Sequence, residues 1–202
     1  MFHGLVDLFF PPQCAACGAA GTGLCERCVP HGTPPLVRAL PTLRVYALGK
    51  YTGALRRAVL ALKDGRRDVA QTLGERLAEM ISPPMLLAPV RTTRTRRRVR
   101  GIDGVEYLTR VAARRTGATV VCALVPLRGD AQRGRSRSQR LAARERFWCD
   151  AGLVRGRSVT LVDDVCTTGT TLEDCAAALR AAGAVVSQAL VIAVANDDTL
   201  LS

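Results

Sequence analysis

The residues of this chain most able to do chemistry fall in one stretch, S-V-T-L-V-D-D-V-C-T-T-G-T-T-L, from Ser158 to Leu172. Val159, Leu161 and Val162 form an aliphatic, β-branched run of the kind that makes a buried strand, and it ends in two adjacent carboxylates, Asp163 and Asp164. A small-residue turn and an Ala-rich helix follow. At such a helix start, Thr167, Thr168, Gly169, Thr170 and Thr171 offer successive backbone N–H groups and hydroxyls, where the helix dipole and unpaired donors favour a phosphate dianion. Carboxylates cannot share that pocket. Asp163 and Asp164 are therefore expected to accept hydrogen bonds from vicinal hydroxyls of the same ligand, which suits a ribose 5-phosphate. Gly169 is expected to let the backbone approach that ligand closely.

Other sites share parts of this pattern. Acidic pairs end Walker B strands and phospho-acceptor strands, and small residues are common helix caps. A Walker B role needs a P-loop, but the only lysines, Lys50 and Lys63, precede Tyr51 and Asp64. Neither closes a G-x-x-x-x-G-K-[ST], which removes the nucleoside triphosphatase reading.

A second chemical cluster lies at the N-terminal end. Cys14, Cys17, Cys25 and Cys28 form C-x2-C-x7-C-x2-C, and two tight C-x2-C turns each present two thiolates to one metal. A structural zinc site is expected, with disulfides or an iron–sulfur cluster as the alternatives. Four thiolates leave no open coordination position for catalysis, and His3 and His31 are expected to be bystanders. Cys122, Cys149, Cys166 and Cys175 are scattered and read as small core residues, with Cys166 a filler beside the threonine loop.

The chain has 202 residues, 48% of them hydrophobic, enough for one ordinary domain with a small appendage. Its net charge of +12 is carried almost wholly by arginine, partly as a GC-rich genome would produce. Clustering survives that discount: Arg91, Arg94, Arg96, Arg97, Arg98 and Arg100 form one group, and a second runs from Arg128 to Arg146. Such groups attract polyanions, form solvated basic loops, or hold a pyrophosphate through bidentate guanidinium contacts. No apolar run reaches the length of a membrane span. The segment Met1 to Pro12 lacks a basic leader and a cleavage site, so a cytoplasmic protein is expected.

Strands and helices must position these groups. The Pro- and Gly-rich segment Val29 to Pro35 marks a boundary, which divides the chain into a knuckle with its linker at 1–35 and a main domain at 36–202. Within the main domain the patterning predicts strands at Thr42–Leu48, Met85–Val90, Thr119–Val125, Val159–Val162 and Val185–Val194. Helices are expected from Tyr51, over Val69–Ile81, Asp103–Thr116 and Thr170–Ala182, and a short one near Gln139–Arg146. Alternating strands and helices imply an α/β fold, a mainly parallel sheet with helices on both faces. Ligands of such sheets sit at the C-terminal strand ends, where Asp163 to Thr171 would fall.

The segment V-T-L-V-D-D-V-C-T-T-G-T-T resembles the phosphoribosyl-pyrophosphate (PRPP) motif of type I phosphoribosyltransferases, with Thr160 and Cys166 as departures at usually aliphatic positions. Over nearly its full length the chain resembles the ComF family, sometimes grouped with GntX-like proteins, which join an N-terminal four-cysteine zinc knuckle to a phosphoribosyltransferase-like domain. The similar residues are F-F-P-P-Q-C-A-A-C, Tyr51-Thr52-Gly53, Leu62-Lys63, Arg100-Gly101, Ser138-Gln139 with Arg146, and the PRPP-like segment. Leu87-Ala88-Pro89 and Arg100-Gly101-Ile102-Asp103-Gly104 depart from the family's usual strand end and basic segment, and Phe147-Trp148 replaces an asparagine.

The resemblance implies that Asp163 and Asp164 are catalytic acids on the ribose hydroxyls, that Thr167, Thr168, Gly169, Thr170 and Thr171 bind the 5-phosphate, and that Arg91 and Arg100 bind pyrophosphate. It implies Mg²⁺ with PRPP, structural Zn²⁺ at the cysteines, and transfer of the phosphoribosyl group to an acceptor that no residue identifies, in nucleotide metabolism. The alternative it implies is a non-catalytic adaptor in competence and DNA uptake, binding single-stranded DNA or a DNA-handling partner. Aromatics are only 4%, so DNA binding would be driven by phosphate contacts rather than stacking.

Overall fold

The computed structural model describes residues 11–29, 31–82, 84–90, 103–126, 147–195 and 200–201. Both arginine clusters, with Arg91 and Arg100, lie outside the described residues, as does the helix expected near Gln139–Arg146.

A seven-stranded sheet is the frame, in the order β4-β3-β7-β8-β2-β1-β9. Its strands are β1 (Leu36–Ala39), β2 (Arg44–Lys50), β3 (Leu86–Pro89), β4 (Thr119–Val120), β7 (Val159–Cys166), β8 (Gln188–Val194) and β9 (Leu200–Leu201). From β4 to β2 all neighbours run parallel, and β1 and β9 add antiparallel strands at one edge. Helices cover both faces, as parallel strands with two apolar faces require. On one face α5 (Thr170–Ala181) buries Leu172, Cys175, Ala176 and Leu179 against Leu161, Ala189 and Val191. On the other, α1 (Gly53–Lys63), α2 (Arg67–Ala78) and α3 (Gly104–Thr116) pack over Leu87, Val162, Leu190 and Ile192.

Each long helix follows from its apolar spacing. Val59 and Leu62 of α1, Val69, Leu73 and Leu77 of α2, and Val105, Leu108 and Ala112 of α3 all turn inward. The side chain of Asp103 caps α3 by accepting the Glu106 N–H at 3.2 Å. Helices α2 and α3 approach so closely at Gly74 that a Cβ there would lie 2.7 Å from the Leu108 carbonyl oxygen and from Val111 Cβ.

Three strands differ from the sequence expectation. Thr119–Val125 is not one strand: β4 stops at Val120, and Leu124–Pro126 (β5) leaves the main sheet to pair antiparallel with Phe147–Cys149 (β6). The Val121 N–H still reaches the Leu87 carbonyl at 2.9 Å, but the Ala123 carbonyl instead takes the Asp150 N–H at 3.1 Å, and from there the chain pairs with β6. β8 begins at Gln188, and Val185, 61% exposed, makes only an isolated bridge with Ser158. β7 runs on through both aspartates to Cys166, because Val191, Ala193 and Val194 of β8 continue to pair with it. A four-residue helix, α4 (Ala151–Val154), leads from β6 toward β7.

The cysteine segment packs onto the helical layer. Cys14, Ala16, Leu24 and Val29 share a core with Val69, Ala70 and Leu73 of α2. Arg66 donates to the Gln13 carbonyl at 2.7 Å, and Arg76, 4% exposed, donates to the Val29 carbonyl at 2.9 Å. Beyond the knuckle, the Gly32 N–H and His31 Nδ1 both reach the Glu79 carboxylate, at 2.8 and 2.6 Å. No described helix is long and apolar enough to cross a membrane.

Candidate functional site

The fold carries Asp163 and Asp164 to the C-terminal end of β7, near the middle of the parallel strands. Successive residues of a strand face opposite sides of its sheet. Asp164 faces the α1 layer, where Lys63 Nζ at the end of α1 lies 3.3 Å from its Oδ2. Asp163 alternates with it and accepts the Asp164 N–H at 2.8 Å. Burial, and next the Asp164 carboxylate beside it, push Asp163 well above the usual carboxylate range. The Asp164 N–H and Lys63 pull the other way, while the buried Asp103 adds a further negative charge. Two carboxylates so placed concentrate acceptor capacity at one strand end, with a single described ammonium facing them.

Directly after β7 the chain turns through Thr167 and Thr168 into Gly169, whose φ of +83° begins α5. No backbone carbonyl of the described residues takes the N–H of Thr168, Gly169, Thr171 or Leu172. The Thr170 N–H leans on the Thr168 hydroxyl at 3.4 Å, and the two hydroxyls lie 2.9 Å apart. This is the donor-rich, positive end of a helix that a phosphate dianion fits. Gly169 also faces the hairpin before α5. A Cβ there would lie 2.6 Å from both methyl carbons of Leu40, so the close approach is to the β1–β2 turn, and the left-handed φ is the second reason for glycine.

The loop has anchors that the sequence did not point to. Arg38 of β1, 8% exposed, donates through Nη1 to the Thr167 carbonyl and, at 2.9 Å, to the Ala195 carbonyl just past β8. The same nitrogen lies 3.9 Å from Cys166 Sγ. Glu173 in the first turn of α5 accepts the Thr42 N–H at 3.0 Å and the Thr42 hydroxyl at 2.5 Å. Arg180 then holds the Thr42 carbonyl at 2.9 Å. Cys166 is the buried last residue of β7, and burial raises its thiol, which fits the role of filler.

The four N-terminal cysteines converge as their spacing implies. All their sulfur atoms lie within 4.8 Å of one another, and Cys17 and Cys25 are 3.6 Å apart. Tetrahedral coordination with Zn–S near 2.3 Å sets sulfur–sulfur distances of about 3.8 Å. Burial works to raise the Cys14 thiol, but the N–H groups of Cys25, Ala16 and Cys17 prevail and bring it to about 6. Burial and the three neighbouring sulfurs push Cys28 up to about 12. Four thiolates crowded this closely would repel one another, a repulsion that a shared divalent cation relieves. His31, on Glu79, is not among the clustered ligands.

Comparison with known proteins bears on the strand–loop–helix unit. Residues 104–200 match the family model of the phosphoribosyl transferase domain. The match spans α3 through β9 and so contains Asp163 to Thr171. Among solved structures, the chain is similar to the allosteric regulatory enzyme of purine biosynthesis (23% identity, TM-score 0.45, covering 61% of this chain and 26% of that one). It is also similar to glutamine phosphoribosylpyrophosphate amidotransferase from B. subtilis, complexed with ADP and GMP, at 23% identity and TM-score 0.46, with coverage of 61% and 26%. A third is orotate phosphoribosyltransferase from Aeropyrum pernix, at 22% identity and TM-score 0.37, with coverage of 61% and 56%. The chain spans about a quarter of the length of the first two. No curated protein matches.

Proposed function

We propose that the end of β7 and the start of α5 bind PRPP or a ribose 5-phosphate, and that the protein is a phosphoribosyltransferase of the ComF-like kind. The carrying observation is the continuous unit of buried strand, acidic pair, positive-φ glycine and open helix N-terminus, inside the segment that matches the phosphoribosyl transferase domain. Thr167 to Thr171 bind the 5-phosphate, and Asp163 and Asp164 accept the 2- and 3-hydroxyls. The adjacent carboxylates supply the hard oxygen donors that magnesium takes, directly or through water. The ion would neutralise the diphosphate. Lys63 stands beside Asp164, where positive charge also favours the departing diphosphate. In the transfer step an acceptor forms a bond to the anomeric carbon as the bond to pyrophosphate breaks, and the leaving group keeps the electron pair. The zinc assignment for the four thiolates belongs to the same reading, as do the knuckle at 1–35 and the transferase domain at 36–202.

Calorimetry with PRPP and Mg²⁺ on the wild type and on Asp163→Asn/Asp164→Asn tests this. Binding by the wild type and its loss in the double variant are expected; equal absence of binding in both defeats the proposal. A transfer screen against purines, pyrimidines and small amines then identifies the acceptor.

The arginine clusters at 91–100 and 128–146 favour a second reading, a binding module for single-stranded DNA or a DNA-handling protein with PRPP as a regulator. Its affinity for a labelled oligonucleotide should fall steeply with salt. If no binding occurs even at low salt, direct DNA contact is excluded.

A further inference from the structure

Three contacts from one hairpin converge on the loop between β7 and α5. Arg38 in β1 takes the Thr167 carbonyl, Leu40 in the turn fills the space beside Gly169, and Thr42 is held by Glu173 in the first turn of α5. None of these three lies within the motif stretch, and each is more than 120 residues away in sequence from its partner. Arg38 is buried, and its Nη1 bridges carbonyls at the ends of two neighbouring strands, Thr167 after β7 and Ala195 after β8.

We infer that the β1–β2 hairpin is the template that shapes the phosphate loop, with Arg38 as its positioning residue. The inference rests on the reading of Thr167 to Thr171 as a phosphate site. In a planar trans peptide the carbonyl of one residue and the N–H of the next point in opposite directions. Drawing the Thr167 carbonyl onto Arg38 therefore turns the Thr168 N–H away from Arg38, and among the described residues no carbonyl takes the N–H of Thr168, Gly169, Thr171 or Leu172. Leu40 packs against the next residue, Gly169, whose φ of +83° favours glycine. The hairpin thus contributes no atom to the ligand. It sets the direction of the donors that do, and it removes the entropy that a free Gly-Thr loop would otherwise lose on binding.

The full-length protein with Arg38→Met and Arg38→Lys tests the inference, with Arg180→Met as a comparison. Arg180 holds the same hairpin through the Thr42 hydroxyl and carbonyl, and its other hydrogen bonds among the described residues go to the Val186 carbonyl. Ribose 5-phosphate binding is measured by calorimetry well below the unfolding temperature, and the Thr168 amide is followed by nitrogen–proton correlation spectra. Arg38→Met should lose tenfold or more in affinity with a displaced Thr168 resonance, and Arg38→Lys should recover part of both. Arg180→Met should lower the unfolding temperature yet bind within twofold of wild type. If Arg38→Met proves unfolded, Arg38→Lys carries the comparison, with a several-fold affinity loss expected. Wild-type affinity in the folded Arg38 variants overturns the template role alone, and equal losses in the Arg38 and Arg180 variants overturn Arg38 as its positioning residue. A wild type that does not bind ribose 5-phosphate overturns the phosphate site and the template with it.

Discussion

Lys63 Nζ sits 3.3 Å from Asp164 Oδ2, joining the last turn of α1 to the acidic end of β7. Both side chains retain solvent contact, 36% exposed for Lys63 and 17% for Asp164, so the pair adds less than about 1 kcal/mol to stability. Its value is therefore local: it places a positive charge beside two carboxylates that would otherwise repel an incoming diphosphate.

Replacing Lys63 with methionine keeps the length of the stem and removes the charge. The unfolding temperature should move little, while PRPP affinity in the presence of Mg²⁺ should fall about tenfold, the equivalent of 1.4 kcal/mol. Calorimetry across a magnesium series checks this, because losing a nearby cation should also let the divalent ion bind at lower concentration. Unchanged PRPP affinity would reduce the pair to a surface ion bridge.

Much of this architecture is written locally. The run Val159-Thr160-Leu161-Val162, the apolar spacing of α1, α2 and α3, and the cysteine spacing each need only a few neighbouring residues to show their purpose, and each appears as expected. What the sequence hid is long-range. Arg38 interrupts the apolar pattern of Leu36 to Ala39, so no strand is expected there, yet the arginine is buried because its partners are carbonyls after β7 and β8. The extension of β7 through two charged residues is likewise set by pairing with β8 and not by strand propensity.

Gly169 offers a direct test of loop geometry. Gly169→Ala adds a methyl 2.6 Å from the Leu40 side chain and puts an L-residue at φ of +83°, a conformation that costs about 1–2 kcal/mol by itself. Stability should fall by at least that amount and phosphate affinity about tenfold. Adding Leu40→Ala should recover only the steric share, since the backbone cost stays. Denaturant unfolding and ribose 5-phosphate titration of the single and double variants separate the two components.

The knuckle should fail when its metal is withdrawn. The purified protein is expected to hold zinc bound by Cys14, Cys17, Cys25 and Cys28, measurable by metal analysis alongside a colorimetric thiol count. Leu24 and Val29 pack through this segment onto α2, each contributing about 1.5–3 kcal/mol by burial. Strong chelation or Cys14→Ser should release the metal and lower the unfolding temperature. A fully folded, metal-free wild type with paired cysteines would instead establish disulfides.

Asp163 should carry a measurable stability cost. Burial, and then the Asp164 carboxylate, raise its folded-state ionisation well above the range of an unfolded aspartate. In the pH window between those two values the native state holds more protons than the unfolded state, so stability must fall as pH rises through it. Below the window the acid is neutral in both states and the cost vanishes; above it the cost is complete. Asp163→Asn keeps the shape without the charge, so it should unfold at a higher temperature than wild type at neutral pH and show a flatter pH dependence across the window. It should at the same time weaken ribose-phosphate binding, since a hydrogen bond to a charged acceptor contributes about 1.5–3 kcal/mol, roughly 10- to 100-fold in affinity. Thermal unfolding from acid to neutral pH, paired with calorimetry at neutral pH, reads both effects. A variant less stable than wild type at neutral pH would show that the fold favours the Asp163 anion and would remove this account of the acidic pair.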